Sequence, residues 1–508
     1  MTALRADIGR RRLWACGATA DGAAYLPCPV RTRKAELLQL TGGWAEAERL
    51  LRRNMDEARA IGDQPLAADA GVALGHLQLH RNEYREALQL LEAAARWYLA
   101  VGDRRGLCRT ENLIGSARYY LGQYDAALER QRRAIELATA LGEDEVLGFA
   151  LGDQAAVRWN QGRYQEALES YQRQLALAER RGELSKIGRI YGNLGIVHDM
   201  MGQPDRAIDY FQRSLAIGRQ VGDKLSTGRS YGNLGTIYQT QHRLAEAREC
   251  YLAQVAISNE IGDRRGLAYA VGNLGNIHDE AHEFRQAVDC YHRQIDLCRE
   301  IDDKRGVAYG LSNLGSALRD RGQIGQALEC FGRRLAIAEE LGDRKGRAIT
   351  LGDRARAAVL RDDDRGALDD LGPAIALFRE LGTEHHLCAF LCDRAEILDR
   401  LGSDAAAKAD LAEAAALADR LGNADVRFRC RLLQARMAGR RDPASFPALL
   451  GGLLAASRGA ADTADAQFEA YRATGDGAAR AAAAAGYRRL LADTGLYRYR
   501  KRLDALSE

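Results

Sequence analysis

The sequence predicts an all-α solenoid of antiparallel helix pairs. Three observations predict it. A Gly-Asp-like pair recurs ten times at a spacing of 40 residues, without insertion or deletion, from Gly62-Asp63 and Gly102-Asp103 to Gly382-Thr383 and Gly422-Asn423. A fixed period of this size is the mark of a solenoid, in which each unit buries its apolar face only on its neighbours. Within each unit the apolar residues fall three and four apart, the helical spacing. Columns of Gly and Ala recur at one register and allow two helices to close on each other.

The unit 183–222 shows each element in turn. Ile187, Ile190, Tyr191, Leu194 and Val197 line one face of a first helix. Gly202 is a stop residue and Pro204 a first-turn residue, so a tight turn lies between them. Ala207, Ile208, Phe211 and Leu215 form the stripe of a second helix, which Gly222 ends. The acidic residue after it, Asp223, is placed to cap the next first helix.

Helix pairing requires a small surface. Gly75, Gly115, Gly195, Gly235, Gly275 and Gly315 occupy one column, with Ala155, Ala355 and Ala395 in the same register. The facing column is expected to be Ala87, Ala127, Ala167, Ala207, Ala247, Ala287 and Ala327, and an aromatic column follows four residues later at Tyr171, Phe211, Tyr251, Tyr291 and Phe331. A larger residue at either small column should cost about 1–3 kcal/mol by overpacking.

The organisation is a non-repeat lead over 1–29, about ten repeats over 30–422, and a degenerate repeat with a helical cap over 423–508. The lead, with Trp14, Cys16 and Pro27, reads either as a flexible segment or as a short capping strand. Asp442-Pro443, Pro447 and Gly451-Gly452 break the pattern near the other end. The finish, Tyr497-Arg498-Tyr499-Arg500-Lys501-Arg502, reads as a solvated cap, with contact to an acidic partner or nucleic acid as the alternative.

Composition narrows the function. The chain has 508 residues, is 46% hydrophobic and 28% charged, and carries a net charge of +3. That balance exerts no global pull toward nucleic acid, and no apolar run approaches the roughly 20 residues a membrane span needs. The Arg10-Arg11-Arg12 run precedes no signal-like apolar stretch. Cys250, Cys290 and Cys330 lie one repeat apart. Neighbouring helices sit about 9–10 Å apart, too far for a disulfide, so these are expected to be buried thiols of a cytoplasmic protein.

Catalytic and metal motifs carry little weight. Gly228-Arg229-Ser230-Tyr231-Gly232 fits a nucleophile elbow by wording, but the pattern places it inside a helix. His385, His386, Cys388 and Cys392 cluster by register alone, as do His278, His282 and His292. No catalytic residue, metal site or cofactor is expected.

The wording Asn193-Leu194-Gly195, then Ala207-Ile208, Tyr210-Phe211 and Leu215-Ala216-Ile217, with Gly262-Asp263-Arg264 at a junction, resembles the tetratricopeptide repeat. The usual unit is about 34 residues; here longer helices extend it to 40. The wording is most similar to the Pins/LGN-type adaptors, over residues 63–382. The resemblance implies a right-handed superhelix of helix pairs whose first helices line a concave surface. It implies a non-enzymatic scaffold that captures an extended peptide or partner protein there. A regulatory sensor that changes pitch on binding and controls a protease, nuclease or transcription factor is the alternative.

Three columns lie on those first helices. One is Asp153, Asn193, Asn233, Asn273, Asn313, Asp353, Asp393. Four residues earlier runs Arg109, Phe149, Arg189, Arg229, Tyr269, Tyr309. The third is Ser116, Ala156, Ile196, Thr236, Asn276, Ser316. Asn is a mediocre helix former, so propensity does not explain the first column. Its amide offers both donor and acceptor to a peptide backbone, at about 0.5–1.5 kcal/mol per bond; alternatively each amide bonds the adjacent repeat and knits the array. The resemblance implies that the Arg column meets acidic side chains of the partner, and the Tyr residues would pack apolar ones.

Overall fold

A computed structural model describes residues 28–40, 43–442 and 446–507. The lead with Trp14, Cys16 and Pro27, and the break at Pro443, lie outside the described residues. No strand occurs among the described residues. The chain divides into two compact units, Met1–Ser226 and Thr227–Glu508.

The first unit contains five helix pairs among its described residues: α1 (Cys28–Leu40) with α2 (Trp44–Ala60), α3 (Gln64–His80) with α4 (Tyr84–Val101), α5 (Arg104–Tyr120) with α6 (Tyr124–Leu141), α7 (Asp144–Asn160) with α8 (Tyr164–Arg180), and α9 (Leu184–Met200) with α10 (Pro204–Val221). Helix α11 (Lys224–Thr240) holds the division between the units. The second unit continues with α12 (Leu244–Ile261), α13 (Arg264–Glu280), α14 (Phe284–Glu300), α15 (Lys304–Asp320), α16 (Ile324–Leu341), α17 (Arg344–Leu360), α18 (Asp364–Glu380), α19 (Glu384–Arg400) and α20 (Asp404–Arg420). After the repeats come α21 (Ala424–Arg441), α22 (Phe446–Ala456), α23 (Ala460–Thr474), α24 (Gly477–Thr494) and α25 (Tyr497–Ser507).

Local chemistry sets the joints. Gly222 ends α10 in the left-handed region at φ 73°. Asp302 takes the same bend at φ 54°, without glycine's freedom. The Asp side chains that follow cap the next helix: Asp263 accepts from Gly266 N at 2.9 Å, and Asp303 from Gly306 N at 2.9 Å. Glu143 and Glu183 make no such cap. One extra methylene moves the carboxylate away from the N–H groups it would serve.

The close approach differs from the sequence expectation. At Gly195, Gly235, Gly275 and Gly315 the nearest neighbours are the rings of the aromatic column, whereas Gly75 and Gly115 meet Leu91 and Gln131, with the Ala87 and Ala127 carbonyls at 3.4 Å. A Cβ at Gly195 would lie 2.8 Å from the Phe211 ring, and at Gly275 2.6 Å from the Tyr291 ring. Helical side chains lean toward the N-terminus, so each ring lies over the turn that carries its Ala. The Ala residues are fully buried beneath.

The second unit carries a layer of buried and half-buried ion pairs. Arg356 and Arg429 both reach Asp393, at 2.8 and 2.7 Å, and Arg394 reaches Asp410 at 2.6 Å. The basic finish is solvated in part: Arg498 and Arg500 are exposed, while Lys501 Nζ donates to Leu360 O at 2.8 Å and to Asp362 at 2.7 Å, and Tyr499 is buried. Its lysine serves orphan carbonyls at the end of α17, a partner only the folded chain supplies.

Candidate functional site

In the first unit the outer column falls on α5, α7 and α9. Arg109 and Arg189 are exposed and make no ion pair among the described residues. Phe149 is 50% exposed, with Lys186 Nζ 5.6 Å from its ring centre. One turn further on, Asp153 accepts from Ser116 Oγ at 2.6 Å, while burial pushes its carboxyl up. Asn193 is half-buried and has no hydrogen-bond partner among the described residues.

In the second unit Arg229 is exposed and unpaired among the described residues, and Tyr269 and Tyr309 are 44% and 52% exposed. Burial against its surroundings still pushes the Tyr269 phenol up. Asn233 and Asn273 are half-buried without a hydrogen-bond partner among the described residues. Asn313 differs: its Nδ2 donates to Asn276 Oδ1 at 3.0 Å, and the same oxygen accepts from Tyr291 OH at 2.9 Å.

Part of the split follows the preceding repeat. At three positions the residue 37 places earlier engages the column's amide or carboxylate, whereas Asp353 lies 3.5 Å from Arg356 of its own helix. Ser116 serves Asp153, Asn276 serves Asn313 and Arg356 serves Asp393. Ala156 and Ile196 offer nothing to Asn193 and Asn233. Thr236 turns its hydroxyl to Gly232 O at 3.1 Å, so Asn273 is left as well. Knitting and open amides therefore both occur, at different repeats. The sequence reading placed Asn276 with the binding residues; the structure engages its oxygen in holding Asn313 and Tyr291.

Two further features lie near the column, neither of them expected from the sequence. Beneath the column, Gly232 and Gly272 lie against the Gln254 and Gln294 amides, where a Cβ would come within 2.6 and 2.5 Å. The legible signal was a Gly just before each Asn with a Gln 22 residues on. At the end of α13, the Asp279 carboxyl is pushed up to about 6 by burial and by Asp320, and its Oδ1 is buried without a donor.

The discounted motifs stay apart from any such chemistry. Ser230 is buried within α11. His386 stacks on Phe378 at 5.2 Å, whereas the Cys388 thiol donates to Ala414 O at 3.3 Å. No group of three or more His, Cys, Asp or Glu suited to a metal ion occurs among the described residues. No described helix is long and apolar enough to cross a membrane.

A family model described as tetratricopeptide repeat matches residues 106–180, 146–220 and 226–300, and a second of the same description matches 311–345. Over these residues the helix pairs match tetratricopeptide repeats. Solved structures share the architecture at low identity. The apo form of RapI is 13% identical over 70% of this chain and 98% of its own, with a TM-score of 0.53. BtubC (BKLC) from P. vanneervenii is 20% identical over 44% of this chain and 92% of its own, at 0.39. A Signal Transduction ATPase with Numerous Domains protein from Pyrococcus horikoshii, with a tetratricopeptide repeat sensor, is 16% identical over 57% of this chain and 44% of its own, at 0.47. A search of curated proteins finds no match. Likeness at this level shows the fold, an all-α solenoid of helix pairs, and nothing of the partner.

Proposed function

We propose that the chain is a non-enzymatic interaction scaffold that holds an extended peptide or partner segment along its first helices. The observation that carries this reading is the set of half-buried amides without a protein partner among the described residues at Asn193, Asn233 and Asn273, each one turn from an exposed Arg189, Arg229 or Tyr269. These amides still reach solvent, and a peptide backbone could take up both their donors and their acceptor. Arg109, Arg189 and Arg229 would meet acidic side chains of the partner, and Tyr269 and Tyr309 apolar ones. Asn313 and Asn276 would shape the surface rather than bind. The manner would be that of the Pins/LGN-type adaptors, which the wording resembles.

Amides, guanidinium groups and phenols suit recognition rather than proton transfer near neutral pH. The test is co-purification followed by titration calorimetry of the captured partner. Wild type would be compared with Asn233→Ala/Asn273→Ala and with an Asn193→Ala/Asn233→Ala/Asn273→Ala triple variant. The reading expects weaker binding with unchanged helicity; equal affinity for the variants would sink it. A regulatory sensor whose shape responds to its ligand is the second reading. It takes second place because architecture at this identity speaks for fold alone; X-ray scattering with and without the partner separates the two.

A further inference from the structure

Within each unit, the turns between the two helices of a pair lie side by side along an edge. In the second unit α25 covers that edge. The Tyr497 ring sits on Gly322, where a Cβ would lie 2.6 Å from it. Lys501 Nζ reaches Val359 O at 3.4 Å, Leu360 O at 2.8 Å and Asp362 at 2.7 Å. Gly495, just before α25, approaches the Phe284 ring. The lysine meets the carbonyls and the negative end of the α17 dipole.

Six 40-residue periods earlier, this footprint falls in the first unit on Trp44, Asn82, Tyr119, Tyr120 and Gly122. There the edge is uncovered among the described residues, and it is aromatic. Tyr84 stacks on Tyr120 at 4.8 Å with a 9° interplanar angle. Tyr120 meets Tyr119 at 5.0 Å, Tyr119 meets Tyr124 at 6.0 Å, and Trp44 lies 6.1 Å from His80. Tyr120 is 57% exposed and Trp44 36%. Tyr119 and Tyr120 present their carbonyls at the positions of Val359 and Leu360.

We infer that this aromatic edge docks a lysine-bearing amphipathic helix of another protein, as its counterpart docks α25. The chemistry is transposed. In the second unit the docked helix brings the ring, Tyr497, to a glycine. In the first unit Asn82 fills that space with a Cβ, and the surface supplies the rings at Tyr84 and Tyr120. The partner helix therefore carries a small apolar residue where α25 has Tyr497, and a lysine four positions later that meets the carbonyls of α5. This surface is separate from the amide column.

The probe is a fluorescent synthetic peptide of residues 496–507 carrying Tyr497→Ala, titrated against the full chain and followed by anisotropy. Saturable binding is expected, weakened about tenfold by Tyr84→Ala/Tyr120→Ala in the protein and similarly by Lys501→Ala in the peptide. The peptide variant tests the lysine without touching the protein fold. The unaltered sequence, with its tyrosine, is expected to bind more weakly than the Tyr497→Ala peptide. Absence of saturable binding overturns the inference. So does binding that survives Tyr84→Ala/Tyr120→Ala but is lost in Asp362→Ala, which places the peptide on the α25 edge. Binding seen only after removal of residues 1–27 assigns the edge to the chain's own leading segment and equally overturns it.

Discussion

Asn313 donates from Nδ2 to Asn276 Oδ1 at 3.0 Å, joining α15 to α13 across 37 residues of chain. The bond engages Asn313 within the array, whereas Asn193, Asn233 and Asn273 have no such partner among the described residues. The four asparagines of the column are identical in sequence and differ in their hydrogen bonding.

Asn313→Ala should therefore lower stability by about 1 kcal/mol, the worth of a partly buried hydrogen bond whose acceptor has a second donor. Asn233→Ala and Asn273→Ala should each stay within about 0.5 kcal/mol of wild type. Urea denaturation of the three single variants checks this, and equal losses would contradict the division.

Gly275→Ala should destabilise by about 1–3 kcal/mol, because its Cβ would press on the Tyr291 ring. Gly332→Ala is the control. Nothing lies within 4 Å of a Cβ there, and a mid-helix Gly→Ala should gain up to about 1 kcal/mol. Thermal melts should shift in opposite directions.

Asp279 predicts a pH dependence of stability. Its folded pKa of about 6 lies above the ordinary 3.8, so between these values the folded chain holds more protons than the unfolded one. Stability then falls as pH rises through that window, by a few kcal/mol at most. Asp279→Asn should raise the melting temperature at pH 7–8, with the gain fading as pH approaches 4. A gain independent of pH would refute the assignment.

Asp263→Ala should cost about 1 kcal/mol by loss of the cap on α13. Glu183→Ala should cost less, since Glu183 caps nothing and its pairs with Arg181 and Lys186 are exposed. Circular dichroism melts of both variants compare the two junctions.

The amino-acid sequence by itself determined the period, the helix class and nearly every helix end. The boundaries of α9 and α10 follow from Gly202, Pro204 and Gly222 because helix stops are local chemistry. It also marked both surface columns, since a helical register places residues four apart on one face. Their division was legible only when Ala156, Ile196 and Thr236 were set against Asn276. The exposed Arg109, Arg189 and Arg229 lay where the register put them. Tertiary structure alone decided three things. Ring direction set Gly195 against Phe211 and Gly275 against Tyr291. Packing raised the Asp279 carboxyl by burying it beside Asp320. The fold brought Lys501 to Leu360, 141 residues away, and no periodic pattern encodes a contact made once, between a non-repeating helix and an edge the repeats build together.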